Sequence, residues 1–273
     1  MHYLSFTWNP SEGIDLGFFL IRYYSLMFVV AFSLGWFITK RIFVNENLSL
    51  EKLDSLFIYM VIAILLGARL GHVLFYQSDL ILKDPISVLL PFRTVPEFEY
   101  TGFQGLASHG AAIGVIIAMF IYSKKVLQKP VLWILDRVVV AVACGAIFVR
   151  IGNFINSEII GKATDSYFGV VFKQLGEDFP RHPAQLYESF GYIFVFLILW
   201  LVYWKTEKRK QRGFLFGLFL ALLFTVRFFV EFIKEAQVDE RAEWALNTGQ
   251  LLSIPLVLTG LYFTITSSKK EQA

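Results

Sequence analysis

Seven apolar runs, at roughly 17–39, 56–78, 109–123, 131–150, 185–204, 213–233 and 247–267, leave this 273-residue chain few ways to fold. A helix rising 1.5 Å per residue needs about 20 apolar residues to cross about 30 Å of hydrocarbon. Each run is that long or nearly so. The third is short, so its start is expected earlier or its axis tilted. Composition agrees: 56% of the residues are hydrophobic and 17% charged, against about 25% charged in soluble domains. The fold class expected is all-α, a polytopic seven-transmembrane-helix bundle forming one transmembrane domain over residues 1–273. The connections at about 79–108 and 151–184 are expected to build a small periplasmic loop or head region.

Seven spans put the termini on opposite faces, and basic residues set which is which. Lys40, Arg41, Lys52, Lys124, Lys125, Lys129, Lys205, Lys208, Arg209, Lys210, Arg212, Lys269 and Lys270 fall on one side. Only Lys83, Arg93, Lys162, Lys173, Arg181, Lys234 and Arg241 fall on the other. Cytoplasmic loops carry the excess of Lys and Arg. The N-terminus is therefore expected outside and the C-terminus in the cytoplasm. The basic residues cluster at segment ends, which marks topology and gives no nucleic-acid surface. No basic stretch followed by a small-residue cleavage site opens the chain, so the first span is expected to be retained. Cys144, the single cysteine, lies in an apolar run and reads as a buried thiol.

The polar residues within the runs share one depth. Arg22, Tyr23 and Tyr24 lie near the outer end of the first span. Arg69, His72 and Tyr76 lie on one helical face of the second. His109 opens the third, Arg150 and Asn153 close the fourth, Arg227 and Glu231 stand one turn apart late in the sixth, and Gln250 starts the seventh. Charges in a membrane are costly and usually face the bundle interior or a wet cavity, so a single polar chamber in the outer half is expected. Bland readings compete: arginines near span ends snorkel to headgroups, Arg227 and Glu231 form a structural pair, and GARLG (Gly67–Gly71) and GFLFG (Gly213–Gly217) are close-packing contacts. His182-Pro183 reads as a helix start with proline in the first turn. These readings account poorly for the row RIGNFINSEIIG, Arg150 to Gly161, which sets Arg150, Asn153, Asn156 and Glu158 close together at a span end. Arginine binds phosphate through two parallel hydrogen bonds and stays charged when partly buried. Phospholipid is the phosphate present at that depth. No HExxH, GxSxG or metal-spaced cluster occurs, so neither a metalloprotease nor a serine hydrolase is expected.

RIGNFINSEIIG resembles the signature of the prolipoprotein diacylglyceryl transferases, roughly R-x-G-N-F-x-N-x-E-x-x-G. RYYSLMF, GARLGHVLFY, SHGAAIG, HPAQLYES, RFFVEF and GQLLSIP resemble further family segments in family order. The resemblance implies an enzyme of the bacterial inner membrane with its site toward the periplasm. It would move the diacylglyceryl group of phosphatidylglycerol to the lipobox cysteine thiol of a prolipoprotein signal peptide and release glycerol 1-phosphate, without cofactor. By position, it implies that Arg150 and Arg227 hold the phosphate, that Tyr24 belongs to the catalytic group, and that His109 takes the thiol proton. It further implies that Asn153 bonds the headgroup, Glu158 orients an arginine or a loop amide, and Gly161 allows a tight loop over the substrate. Asn156, Arg69 and Glu231 complete the substrate-binding set. The chain departs from the pattern at Ser108 and Ala111 around His109, and at Ser157, where glycine is common. It also departs at Ala184 and at Lys234, where arginine is common. A non-catalytic phospholipid transporter or scramblase is the competing function, and it predicts polar residues continuing into the inner half of the bundle.

Overall fold

The computed structural model describes residues 6–18, 20–90, 92–100, 105–235 and 246–267. Arg241, Lys269 and Lys270, three of the charges that set the expected orientation, lie outside them. The chain divides into two compact units, Met1–Ile42 with Leu135–Ala273, and Phe43–Ile134. Helices dominate: α1 (Tyr23–Asn45), α2 (Leu50–Tyr76), the short α3 (Leu80–Lys83) and α4 (Pro85–Leu89), α5 (Ser108–Tyr122), α6 (Val131–Ile155), α7 (Ala184–Lys205), α8 (Phe214–Val230) and α9 (Thr248–Thr266). Among the described residues, α1, α2, His109–Leu127, α6, α7 and α9 are long and apolar enough to cross a membrane, and α8 is apolar but 17 residues long. The protein is thus an all-α, multi-span membrane bundle. Many large apolar side chains, including Ile58, Leu74, Ile117 and Leu258, face outward, as lipid-facing residues do.

Several span ends differ from the sequence expectation. The first apolar run begins as a hairpin, not a helix. Strands β2 (Gly13–Asp15) and β3 (Leu20–Arg22) pair antiparallel, Gly13 opposite Arg22. Asp15 Oδ1 accepts the Gly17 N–H at 2.7 Å, and Gly17 turns the chain at φ +84°. The helix starts only at Tyr23, so Arg22 is an exposed strand residue. The third span gains its length at the opposite end from the one expected: α5 continues as a π-turn through Ser123–Leu127 and stops at Gln128, φ +55°. The fourth runs to Ile155, so Arg150 and Asn153 lie within its last turns. The proline expected inside the first turn of α7, Pro183, is its N-cap.

In the unit Phe43–Ile134, α2 packs on α5 at backbone contact. A Cβ on Gly67 would meet the Gly110 carbonyl oxygen at 2.5 Å, and one on Gly71 would meet Gly110 Cα at 2.6 Å. Small residues are what lets membrane helices approach so closely. The connection after α2 holds α3, α4 and the hairpin β4 (Phe92–Arg93) with β5 (Glu99–Tyr100). Asp84 organises it. Its carboxylate accepts from the Thr94 hydroxyl (2.6 Å), Thr94 N (2.7 Å), Val95 N (3.3 Å) and Ser87 N (3.4 Å). Those donors, the Thr94 hydroxyl first, hold its pKa down at about 2.

In the other unit, Ile42, Val140, Val195, Leu199, Leu215 and Phe219 form the centre of the core. Gly217 packs against Gly260 of α9. Gly213, read from the sequence as part of that seam, does something else. It caps α8 at φ +88°, and its N–H donates to Asp136 Oδ2 at 2.7 Å, beside Phe216 N on Oδ1 at 2.9 Å. A carboxylate at a helix N-terminus satisfies free N–H groups and the helix dipole together. Strand β1 (Phe6–Trp8) runs parallel to β6 (Val170–Phe172). Trp8 packs on Phe154 with the rings tilted by 33° and donates its indole N–H to the Phe154 carbonyl at 3.1 Å, bracing the end of α6.

Candidate active site

The last two turns of α6 carry Arg150 and Asn153 three residues apart, on one face. Asn153 is buried; its Oδ1 accepts from Arg150 Nη1 at 3.2 Å, and its Nδ2 donates to Glu158 Oε2 at 3.2 Å. Asn156 Nδ2 donates to Glu158 Oε1 at 3.0 Å. Glu158 thus orients two asparagine amides, not the arginine or loop amide expected of it. Its own carbonyl accepts from the buried Gln185 side chain at 2.5 Å. Tyr24 lies against Gly152 with its hydroxyl at the Asn153 side chain, beside Glu158 and Arg150.

The loop is held in an unusual backbone path. Ser157 and Ile159 have φ of +54° and +56°, a region disfavoured for a β-branched residue. Glycine adopts that conformation without strain, and this chain places Ser157 there. The Ser157 hydroxyl donates to Gln174 Oε1 at 2.9 Å, which fixes the turn by side-chain bonding. Gly161 is buried. It is locked between backbones: its N–H donates to the His182 carbonyl at 3.0 Å, and it bridges to Lys234. A Cβ there would collide with the His182 carbonyl and approach the Ile233 carbonyl oxygen to 2.9 Å. The role of this glycine is close backbone approach.

Arg150 leads into a chain of alternating charges that the sequence reading did not assemble. Its Nε lies 2.6 Å from Glu188 Oε2, a close ion contact, not an aligned hydrogen bond. Glu188, on α7, is 0% exposed. Its Oε1 accepts from Lys234 Nζ at 2.8 Å, and Lys234 also donates to Glu231 Oε1 at 3.0 Å. Arg227 Nε stands 3.5 Å from that same oxygen and makes no hydrogen bond. Glu231 Oε2 accepts from Asn247 Nδ2 at 3.2 Å. Buried Tyr192 lies beside Glu188, Arg150 and Arg227, so both arginines border one cluster. Arg227 stands in the last turn of α8, where the dipole favours a cation.

Lys234, at 4% exposure, is no free phosphate ligand: two carboxylates engage it. Glu188, Gln185 and Trp8 were missed as site residues. Glu188 had a readable signal, an acid within the apolar helix AQLYESFGYIFVF, since intramembrane carboxylates are rare and functional by default.

Two residues expected at the site, Arg69 and His109, belong to the unit Phe43–Ile134. Arg69 bonds the loop that follows its helix, with Nε to the Val88 carbonyl (3.0 Å) and Nη2 to the Ser87 carbonyl (2.5 Å). With His72, Tyr76, Lys83 and Arg93 it lines a cavity of about 690 Å³. His109 is exposed at the start of α5, its ring edge-on to Phe75 at 5.3 Å and 6.0 Å from Tyr76. Cys144 is buried and unpaired. Among the described residues no three His, Cys, Asp or Glu side chains are placed to hold a metal ion.

The family model described as prolipoprotein diacylglyceryl transferase matches residues 12–266. A phosphatidylglycerol–prolipoprotein diacylglyceryl transferase of Bacteroides fragilis is 41% identical over 271 residues, covering 98% of this chain and 97% of its own length. Proteins of the same name from Tolumonas auensis and Chloroherpeton thalassium are 40% and 37% identical. They cover 97% of this chain in each case, and 98% and 95% of their own lengths. With the signature arginine, asparagines and glutamate joined in one hydrogen-bonded group and the match running nearly end to end, the chain belongs to the prolipoprotein diacylglyceryl transferase family.

Proposed function

We infer that this protein transfers the diacylglyceryl group of phosphatidylglycerol to the lipobox cysteine thiol of prolipoproteins. The thiol loses its proton, its sulfur bonds the diacylglyceryl carbon, and the bond from that carbon to the phosphate oxygen breaks. Glycerol 1-phosphate leaves carrying the electron pair. The protein's task is to hold two substrates in line and to stabilise a departing phosphate, by positioning and electrostatics.

The observation that carries the reading is the pair of arginines bordering one buried charge cluster, each with donors left over. Arg227 is 34% exposed at its side chain and makes no hydrogen bond through Nε. Arg150 has Nε on Glu188, Nη1 on Asn153 and the Tyr192 hydroxyl as a further partner, and its remaining guanidinium hydrogens are the donors for the phosphate. Hydrogen bonds to charged groups contribute about 1.5–3 kcal/mol each, so two arginines suffice to hold a headgroup. Asn156 presents its amide to the headgroup glycerol, while buried Asn153, with Glu158 fixing its orientation, holds Arg150 toward the headgroup, and Tyr24 closes the same side. His109 takes the thiol proton, and Arg69 shapes the loop after α2 without touching phosphate.

In this reading α8 also crosses the membrane, as the sixth of seven spans, the N-terminus lies outside and the C-terminus in the cytoplasm, and the arginines face the periplasm at headgroup depth. The 25 residues of α6 reach about 37 Å, longer than the hydrocarbon core, which sets its polar last turns beyond the acyl region. Asp136, buried in the same helix, is accounted for by its bonds to the start of α8 and marks no polar path for a lipid carrier.

The test is to incubate purified protein with phosphatidylglycerol and a one-cysteine lipobox peptide and read the peptide mass. A diacylglyceryl gain that Arg150→Ala abolishes supports the reading. A folded wild-type protein that produces no gain refutes it.

A further inference from the structure

Two arginines that must take one phosphate stand beside two buried carboxylates, either of which would pair with them if left alone. We propose that Lys234, with Glu188, is a positioning element that keeps both guanidinium groups open: Lys234 holds Glu231 off Arg227, and Glu188 engages Arg150 through Nε only. This rests on the phosphatidylglycerol reading of the site.

Both oxygens of Glu231 are occupied. Oε1 is bonded by Lys234 Nζ at 3.0 Å and Oε2 by Asn247 Nδ2 at 3.2 Å, while Arg227 Nε remains at 3.5 Å from Oε1 with no hydrogen bond. Arg227 and Glu231 are one helical turn apart, the spacing at which such residues ordinarily pair. The ammonium has won that competition because it is anchored from the other side, 2.8 Å from Glu188 Oε1, and is 4% exposed. A compact ammonium with three donors can serve two carboxylates from different elements at once. Its burial rules out Lys234 as a lipid contact, so its effect must pass through its neighbours. The electrostatic consequence has the same sign. Arg150, Arg227 and Lys234 against Glu188 and Glu231 leave one positive charge in the cluster. Without Lys234 this ion-paired set falls from one net positive charge to none, which weakens its attraction for a phosphate.

A lysine that only pins the segment after α8 to α7 predicts different behaviour from one that withdraws a competing carboxylate, and a double substitution separates them. Binding of a short-chain phosphatidylglycerol by calorimetry, and KM and kcat with a lipobox peptide, are measured for wild type, Lys234→Met, Lys234→Arg and Lys234→Met/Glu231→Gln. Lys234→Met is expected to weaken lipid binding and raise KM about tenfold or more, the loss of one charged hydrogen bond, with a smaller change in kcat. Lys234→Arg is expected to stay near wild type. Adding Glu231→Gln is expected to recover most of the affinity, because a neutral amide no longer closes on Arg227. Folding of each variant is checked by thermal unfolding. If Lys234→Met does not fold, the comparison is repeated with Glu188→Gln added, which leaves no unpaired buried carboxylate behind. Unchanged lipid binding in folded Lys234→Met, or a double variant no better than the single, overturns the proposal. Wild type that binds the lipid but transfers nothing refutes the transferase reading and leaves this inference standing.

Discussion

Asn153 is the residue at which a change of one atom type tests the site most severely. Asn153→Asp keeps the shape of the side chain and replaces its amide NH2 with a carboxylate oxygen. In the native arrangement Oδ1 accepts from Arg150 and Nδ2 donates to Glu158, each at 3.2 Å. With aspartate the first contact becomes an ion pair, which draws Arg150 Nη1 further from the phosphate. The second becomes two carboxylates face to face. Two unit charges at 3.2 Å repel by about 5 kcal/mol at an effective dielectric of about 20, and by about 1 kcal/mol in water. Asn153 is buried and Glu158 exposed, so an intermediate cost of about 2–3 kcal/mol applies. If the native geometry is the one that meets the transition state, that cost appears as a fall of roughly 30- to 150-fold in kcat/KM.

The assay is diacylglyceryl transfer to a lipobox peptide, with thermal unfolding run alongside. Glu158→Gln placed in the Asn153→Asp background removes the repulsion and is expected to return at least part of the lost rate. An Asn153→Asp protein within threefold of wild type would show that the polarity of this side chain is not what organises Arg150. A double variant slower than both single variants would show that Glu158 acts on the substrate directly and not through the asparagines.

Asp136→Ala removes the acceptor of two buried N–H groups at the start of α8 and is expected to cost about 2–4 kcal/mol. This should lower the unfolding midpoint while leaving the specific activity of the folded fraction unchanged. Gly110→Val places side-chain carbons against the Gly67 carbonyl and Gly71 Cα. It should separate α2 from α5, read as loss of protease resistance in the segment they enclose. Asp84 has a folded pKa of about 2, below the ordinary value of about 3.9. Its contribution is therefore fully present above that ordinary value and lost as pH falls through about 2. Hydrogen exchange of the Thr94 amide should stay slow from neutral pH to about 4, once corrected for intrinsic rate, and lose its protection below that. Protection lost near pH 6 would contradict the hydrogen-bond assignment. Ile159→Gly removes a strained left-handed isoleucine, so the folded protein should be no less stable despite the added chain entropy. A marked loss of stability would mean that the isoleucine packing outweighs the strain.

What the sequence made legible follows the solvent each element meets. Lipid demands long uninterrupted apolar helices, so the spans could be read from hydropathy, and α7 and α9 fall within a residue of their expected limits. The errors gather where that demand stops. Leu20 and Ile21 look like helix but pair with Gly13–Asp15 as a strand, because an apolar run of that length has no period that separates the two conformations. Gly213 lies at GxxxG spacing from Gly217, yet Gly213 is the left-handed cap of α8 while Gly217 meets α9. Whether a glycine faces a neighbouring helix or starts its own is a tertiary fact.

The site divides the same way. Arg150, Asn153 and Glu158 could be grouped from the sequence because nine residues of chain carry all three, and one helix end with its following turn brings them together. The Glu188–Lys234 contact joins residues 46 apart, across α7, α8 and the turn after it, and no local spacing encodes that. In the sequence Lys234 is only a departure from a common arginine, because its charge is visible and its burial is not. Once burial is known, that charge has an indirect use: an ammonium that cannot reach the lipid still decides what the neighbouring arginines can reach. The cationic character of such a site is thus set by which carboxylates are already occupied, not by how many arginines surround it.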